Sequence, residues 1–195
     1  MRIVGGKWRG RRIEAPEGRG TTRPTTDRMR ESIASQILSA RGLDLAGCSV
    51  LDAFAGSGAM GLELLSRGAA RATFVDRDRR AAARIRRSAE ALGAGRNEVR
   101  ALAGDVFALA ARGLAGAPFD VVFLDPPYAV DAGRVTALVD ELASSGQLAP
   151  GAVVVYEHAA DAPGLDCPAL GPARSRTHGI TTVDLLVARM GEDEK

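Results

Sequence analysis

Val50-Leu51-Asp52-Ala53-Phe54-Ala55-Gly56-Ser57-Gly58-Ala59-Met60-Gly61 opens on an apolar run carrying one acid and closes on spaced glycines. Such a run, too short for a helix and without polar alternation, predicts a first strand from Val50 to Phe54 that is covered on both faces. The glycines predict a tight turn into a helix from about Ala59 to Arg67. The same unit recurs downstream. Ala72 to Asp76, Val99 to Ala103 and Phe119 to Leu124 read as strands, separated by a long Arg- and Ala-rich helix to about Leu92 and a helix from Val106 to Leu114. A helix near Arg134 to Leu142, a strand at Ala152 to Tyr156 and an apolar strand at Thr182 to Val187 complete the series. Strand and helix in alternation place the chain in the α/β class, with a mostly parallel sheet whose ligand crevice lies at the carboxyl ends of the strands.

Gly56-Ser57-Gly58-Ala59-Met60-Gly61 matches G-x-G-x-x-G, and Asp76 follows Gly56 by twenty residues. A dinucleotide-dependent oxidoreductase therefore has to be weighed. Asp52 argues against it, because a carboxylate at the end of the first strand is poorly placed beside a pyrophosphate and well placed beside a cation. S-adenosylmethionine carries a sulfonium and an ammonium and no phosphate. In that reading Asp52 sits near the methionine end, Asp76 accepts both ribose hydroxyls and Asp105 accepts from the adenine amine, while Gly56 and Gly58 let the backbone approach closely. Each acid taken alone also reads as a helix cap or turn former. Their recurrence after three consecutive strands favours one shared ligand.

Leu124-Asp125-Pro126-Pro127-Tyr128 follows the apolar Val121-Val122-Phe123 and reads as the tip of a buried strand. The two prolines remove two N–H donors and stiffen the turn, leaving the Asp125 carboxylate and exposed carbonyls as acceptors. Such a turn suits an incoming NH2 group. Tyr128 adds a flat ring on which a planar base can stack. Acceptors beside an aromatic platform point to chemistry on the exocyclic amine of a nucleobase; an ordinary proline-rich loop is the plainer alternative.

At 195 residues, with 46% hydrophobic and 26% charged side chains, the chain has the composition of one soluble domain with a small appendage. No apolar run approaches a membrane span and the N-terminus has no secretory signal pattern, so a cytoplasmic location is expected. Cys48 and Cys167 lie far apart without CxxC or Cys/His spacing, which argues against a disulfide or zinc site and for two buried thiols. The net charge of +2 hides an asymmetry: residues 1–30 hold nine Lys/Arg against three acids, leaving the remainder at −4. A basic arm on an acidic body suggests a polyanionic partner. Arg2-Ile3-Val4 and Arg11-Arg12-Ile13-Glu14 read as short strands around a glycine-rich turn, a hairpin whose Lys7, Arg9, Arg11 and Arg12 present a phosphate-contacting surface. Trp8 is equally a packing residue or an RNA stacker. Residues from Pro16 to Thr22 read as a linker, and Thr25 or Thr26 as the cap of a helix with Met29, Ile33, Ile37 and Leu38 on one stripe. Arg23, Arg28 and Arg30 are expected near that helix start, available to phosphate or to the site's mouth. His158 and His178 read as structural or surface histidines, and Gly191 to Lys195 as a frayed tail.

Together, Asp52-Ala53-Phe54-Ala55-Gly56-Ser57-Gly58 and Asp125-Pro126-Pro127-Tyr128 resemble the SAM-dependent methyltransferases that modify exocyclic amines. Arg2-Ile3-Val4-Gly5-Gly6-Lys7-Trp8-Arg9-Gly10 and Arg23-Pro24-Thr25-Thr26-Asp27-Arg28-Met29-Arg30-Glu31 resemble the bacterial RsmD family, which methylates guanine N2 in 16S ribosomal RNA. The resemblance covers the chain up to the last strand. It implies a Rossmann-like class I methyltransferase fold of seven strands with an antiparallel last strand, divided into a basic arm and linker (1–24) and a SAM-dependent domain (25–195). It implies Asp125, Pro126, Pro127 and Tyr128 as catalytic residues, with Asp52, Ala53, Phe54, Gly56, Gly58, Asp76, Asp105 and Val106 around the cofactor. Lys7, Arg9, Arg11, Arg12, Arg23 and Arg28 would contact RNA. The implied partner is 16S rRNA or the small ribosomal subunit, met by a monomer without metal or membrane. An adenine-N6 methyltransferase would use nearly the same turn, and a non-catalytic RNA-binding module would need the arm alone. The segment from Asp161 to Arg176 matches no motif.

Overall fold

The computed structural model describes residues 1–15 and 27–189. Arg23, the expected linker, the cap at Thr25 or Thr26, the expected boundary after residue 24 and the tail from Gly191 lie outside the described residues. Seven strands form one sheet: β1 (Ser49–Asp52), β2 (Arg71–Asp76), β3 (Val99–Ala103), β4 (Phe119–Leu124), β5 (Leu148–Ala159), β6 (Arg174–His178) and β7 (Thr181–Val187), in the order β3-β2-β1-β4-β5-β7-β6. The first five are parallel, and β7 runs antiparallel to both β5 and β6. Among the described residues five α-helices accompany them: α1 (Asp27–Ala40), α2 (Ala59–Ser66), α3 (Arg79–Leu92), α4 (Val106–Ala110) and α5 (Ala132–Ser144). Among the described residues no helix is long and apolar enough to cross a membrane.

Strand alternation divides the core into two layers. Val121 and Phe123 of β4 pack with Ile33 and Ile37 of α1, Leu62 and Leu65 of α2 and Ile85 of α3. Val122 and Leu124 face the other way, onto Val106 of α4 and Val135, Leu138 and Leu142 of α5. Each such side chain removed from water contributes roughly 1.5 to 3 kcal/mol, so the strand interiors stay apolar and polar groups collect at the strand ends.

Several boundaries move for local reasons. β1 stops at Asp52 rather than Phe54, because the chain bends there to place Ala55 N–H on the Val75 carbonyl. α4 ends at Ala110 rather than Leu114, closed by a distant side chain: Gln147 Nε2 donates to the Ala110 carbonyl (2.8 Å) while its Oε1 accepts from Leu114 N–H (2.6 Å). β5 runs on to Ala159, held past the end of β4 by β7, and β6 was not anticipated. Both cysteines are free and buried.

The N-terminal arm is more compact than two strands and a turn. Its self-pairing reduces to one antiparallel bridge, Arg2 to Arg12, and the intervening chain winds into a 3-10 turn, Gly6–Trp8. The turn is tied to α2. Glu63, fully buried, accepts from Val4 N–H (2.7 Å), Gly5 N–H (2.8 Å) and Arg67 Nε (2.8 Å). Ser66 Oγ donates to the Gly5 carbonyl and accepts from Trp8 N–H. Gly6, at φ 74°, lies so close that a Cβ would come within 1.9 Å of the Ser66 carbonyl oxygen. Trp8 is 6% exposed and shares the core with Ile3 and Ile13, which settles its role as packing.

Candidate active site

The acids at the strand ends point one way. Asp52 pairs directly with Phe74 of β2 and Phe123 of β4, and Asp76 and Asp125 each lie two residues beyond those partners. With a side-chain period of two, all three carboxyls project from the same face of the sheet, the face that carries α2 and α3. A cavity of about 1210 Å³ opens there, lined by Asp52, Ala53, Phe54, Gly56, Asp76 and Val106, and by the whole turn from Asp125 to Tyr128.

Asp52 is 2% exposed and accepts one hydrogen bond, from Gly61 N–H at 3.1 Å. Burial, reinforced by the charges of Asp125 and Asp76 and opposed by the Gly61 N–H, pushes its carboxyl up to about 7. No cation is paired with it among the described residues, so a cationic ligand fits the position. Gly58, at φ 73°, begins α2 directly below, packed so tightly that a Cβ would meet Ile85 at 2.8 Å. Asp76 is oriented by two backbone donors, Gly56 N–H at 2.7 Å and Asp78 N–H at 2.8 Å, one to each oxygen, and as a carboxylate lining the cavity it retains further acceptor capacity. Asp105 is placed differently. It caps α4 through Phe107 N–H and binds Arg77 at 2.7 Å, so Gly104 and Val106 line the cavity on either side of it while its carboxylate is held by those two donors.

The turn after β4 carries Asp125, half-buried, whose loss of water contact pushes its carboxyl up to about 6. Tyr128 is 70% exposed, a large ring held out toward solvent at the cavity edge.

The expected RNA contacts separate into two groups. Arg28 is exposed on α1 and lines the cavity. The arm's tip lies at the opposite end of the sheet: Lys7 binds Glu98, just before β3 begins, and stacks over Trp8, while Arg11 reaches the Ala91 carbonyl near the end of α3. Arg9 and Arg12 are exposed on the same segment. Arg30, expected to be available, is instead buried, donating to Asp27 (2.6 Å) and to the Arg2 carbonyl (2.8 Å).

Several cavity residues escaped the sequence reading, among them Tyr156, His158, His178 and Thr181. Tyr156 and His158 stack at 4.7 Å, and the His158 ring lies between the Ala159 carbonyl (2.8 Å) and Asp184 (3.1 Å). For Tyr156 and His158 the signal available was their position at the carboxyl end of a parallel strand; His178 and Thr181 reach the cavity through the antiparallel β6–β7 hairpin.

This sheet order and the crevice over the ends of β1, β2 and β4 define a class I methyltransferase fold. Magnesium protoporphyrin IX methyltransferase from Synechocystis, solved with bound SAM, shares it at a TM-score of 0.60 and 20% identity, over 88% of this chain and 86% of that one. The yhhF protein of Escherichia coli aligns far better, at a TM-score of 0.81 and 30% identity over 97% of this chain and 98% of the other. In sequence, the family described as Conserved hypothetical protein 95 matches residues 1–187. Ribosomal RNA small subunit methyltransferase D of Escherichia coli K12 is 36% identical over 157 residues, 80% of this chain and 74% of that protein. Its Haemophilus influenzae counterpart is 29% identical over 95% of this chain and 92% of its own length. The chain belongs to this methyltransferase family.

Proposed function

We propose that this chain transfers the methyl group of S-adenosylmethionine to the exocyclic N2 amine of a guanine in the 16S rRNA of the small ribosomal subunit, acting as a monomer in the cytoplasm. The observation that carries the reading is the Asp125–Tyr128 turn, which brings two acceptors and an exposed ring to the edge of a cavity whose floor is a buried carboxyl with no counter-cation among the described residues. The names of the relatives support the RNA class. Asp52, Asp76 and the Gly56–Gly58 backbone would hold the donor, with Ala53, Phe54, Gly104 and Val106 packing around it. Bound there, S-adenosylmethionine supplies an electrophilic methyl on a sulfonium.

The rest is the work of the chain's own groups. A guanine N2 lone pair is delocalised into the ring and is a weak nucleophile. The Asp125 carboxylate and the Pro126 carbonyl accept the two amine hydrogens, which favours a pyramidal nitrogen with its lone pair directed into the cavity. Tyr128 stacks the base after it leaves its RNA context, and Pro127 keeps the turn from relaxing. Arg28 and the arm contribute phosphate affinity rather than base choice. The test is incubation with labelled S-adenosylmethionine and undermethylated small subunits, followed by nucleoside mass spectrometry. N2-methylguanosine is expected; N6-methyladenosine, or no label, would overturn the reading.

A further inference from the structure

The strand that the sequence did not reveal carries a charge pattern of its own. In β6, Arg174-Ser175-Arg176-Thr177-His178, alternation puts Arg174, Arg176 and His178 on one face. Their direct partners on β7 are Leu185, Val183 and Thr181, and Leu185 and Val183 belong to the core layer under α1. The stripe therefore shares the face of the sheet from which Asp52 and Asp125 project. Every residue of β6 is exposed, and β6 ends the sheet, so nothing among the described residues covers it. Among the described residues neither arginine has an ion-pair partner, whereas Lys7 is tied to Glu98, Arg30 to Asp27 and Arg77 to Asp105. The stripe also has a direction. His178 and Thr181, at the hairpin end, line the cavity, and Arg28 lines it from α1. With about 3.4 Å of rise per residue, Arg174, Arg176 and His178 are spaced some 7 Å apart along a line leading into the site. An exposed edge can be charged simply to block edge pairing, but that purpose does not require both arginines on the face of the site.

We propose that the β6 edge is a second RNA-contact surface, a phosphate track in which Arg174 and Arg176 lead the RNA backbone past His178 to the base pocket. This rests on the RNA-methylating function proposed above and assigns part of its substrate binding to residues outside the arm. The test compares wild type with the double variant Arg174→Ala/Arg176→Ala in two assays. One is binding of 16S rRNA across a salt titration; the other is methyl transfer to undermethylated small subunits. Losing two phosphate contacts should lower the slope of log affinity against log salt by about 1.4 to 1.8. Affinity near physiological salt should fall about tenfold and KM should rise to match, with kcat at saturating RNA and the affinity for S-adenosylmethionine unchanged. An unchanged salt slope overturns the proposal. So does a variant that binds free rRNA normally and shows a raised KM on assembled subunits alone, since the edge would then meet a ribosomal protein. Wild-type label transfer reports separately on the proposed function: a chain that transfers no methyl group yet loses slope on substitution keeps the track and loses the reaction, and a wild type that neither binds rRNA nor transfers label loses both.

Discussion

At Asp52 the proposed donor site opposes the stability of the chain that forms it. Its carboxyl, buried and facing Asp125 and Asp76, is raised to about 7 from the usual carboxylate range near 4. Between those values the folded chain keeps a proton that the unfolded chain releases. The group therefore favours folding at low pH and loses that advantage as pH rises through 7. Asp52→Asn, which preserves an acceptor for Gly61, is expected to stabilise the ligand-free protein at pH 8 by on the order of 2 to 4 kcal/mol in urea unfolding while abolishing S-adenosylmethionine binding. A variant that is no more stable, or that still binds the donor normally, would refute this account. The same proton links affinity to pH. A cationic ligand selects the carboxylate, so calorimetric titration should find binding about tenfold tighter at pH 8 than at pH 6, with proton release near the lower end. Asp125 is set lower, at about 6, ionised at neutral pH and able to accept from an amine. Asp125→Ala should cut the single-turnover transfer rate by at least a hundredfold at saturating donor and RNA, as loss of a transition-state acceptor does; an unchanged rate would remove it from the chemistry.

Among the elements, legibility followed burial. Of the five parallel strands, β1, β2 and β4 were readable as short apolar runs covered on both faces, and β5 by its apolar centre, while β3, half exposed at the sheet edge, was readable from its place in the alternation. The acids were readable because they follow such runs. β6 was not, since all five of its residues are polar and exposed and its pairing is imposed by β7. Nor could the ends of the elements be read where a remote side chain sets them, as Gln147 does for α4. The arm fails in the same way: Trp8 and the 3-10 turn are fixed by Glu63 and Ser66 nearly sixty residues away. Glu63 is the strongest of these ties, a fully buried carboxylate satisfied by three donors. Glu63→Ala leaves Arg67 and two backbone N–H groups without their acceptor and should cost about 3 to 5 kcal/mol in urea unfolding, with Trp8 fluorescence reporting release of the arm. A loss under about 1 kcal/mol would mean the arm is held by its apolar contacts alone.

For the molecule as a whole, the separation of its basic regions matters more than their total charge. α3 begins beside the cavity, where Asp78 and Ala81 line it, and ends near Ala91, where Arg11 is bound. Arg84 lines the cavity too, so at 1.5 Å per residue the arm's tip lies about 10 Å from the cavity edge along that helix. A substrate touching both has to extend down the side of the protein. Arg9→Ala should accordingly lower the salt slope of binding by about one on intact small subunits, with kcat unchanged, and have no effect on a short RNA hairpin that fills the base pocket only; an equal loss on both substrates would contradict the placement. The anchoring of the arm on α2 then takes on another meaning. Because Glu63, Ser66 and Gly6 fix the tip to the helix that starts under the cofactor loop, the protein is a caliper whose gap is set when the chain folds. On the function proposed above, it would admit a base by how far that base stands from a neighbouring ridge of phosphate, and so discriminate by dimension where its contacts do not discriminate by sequence.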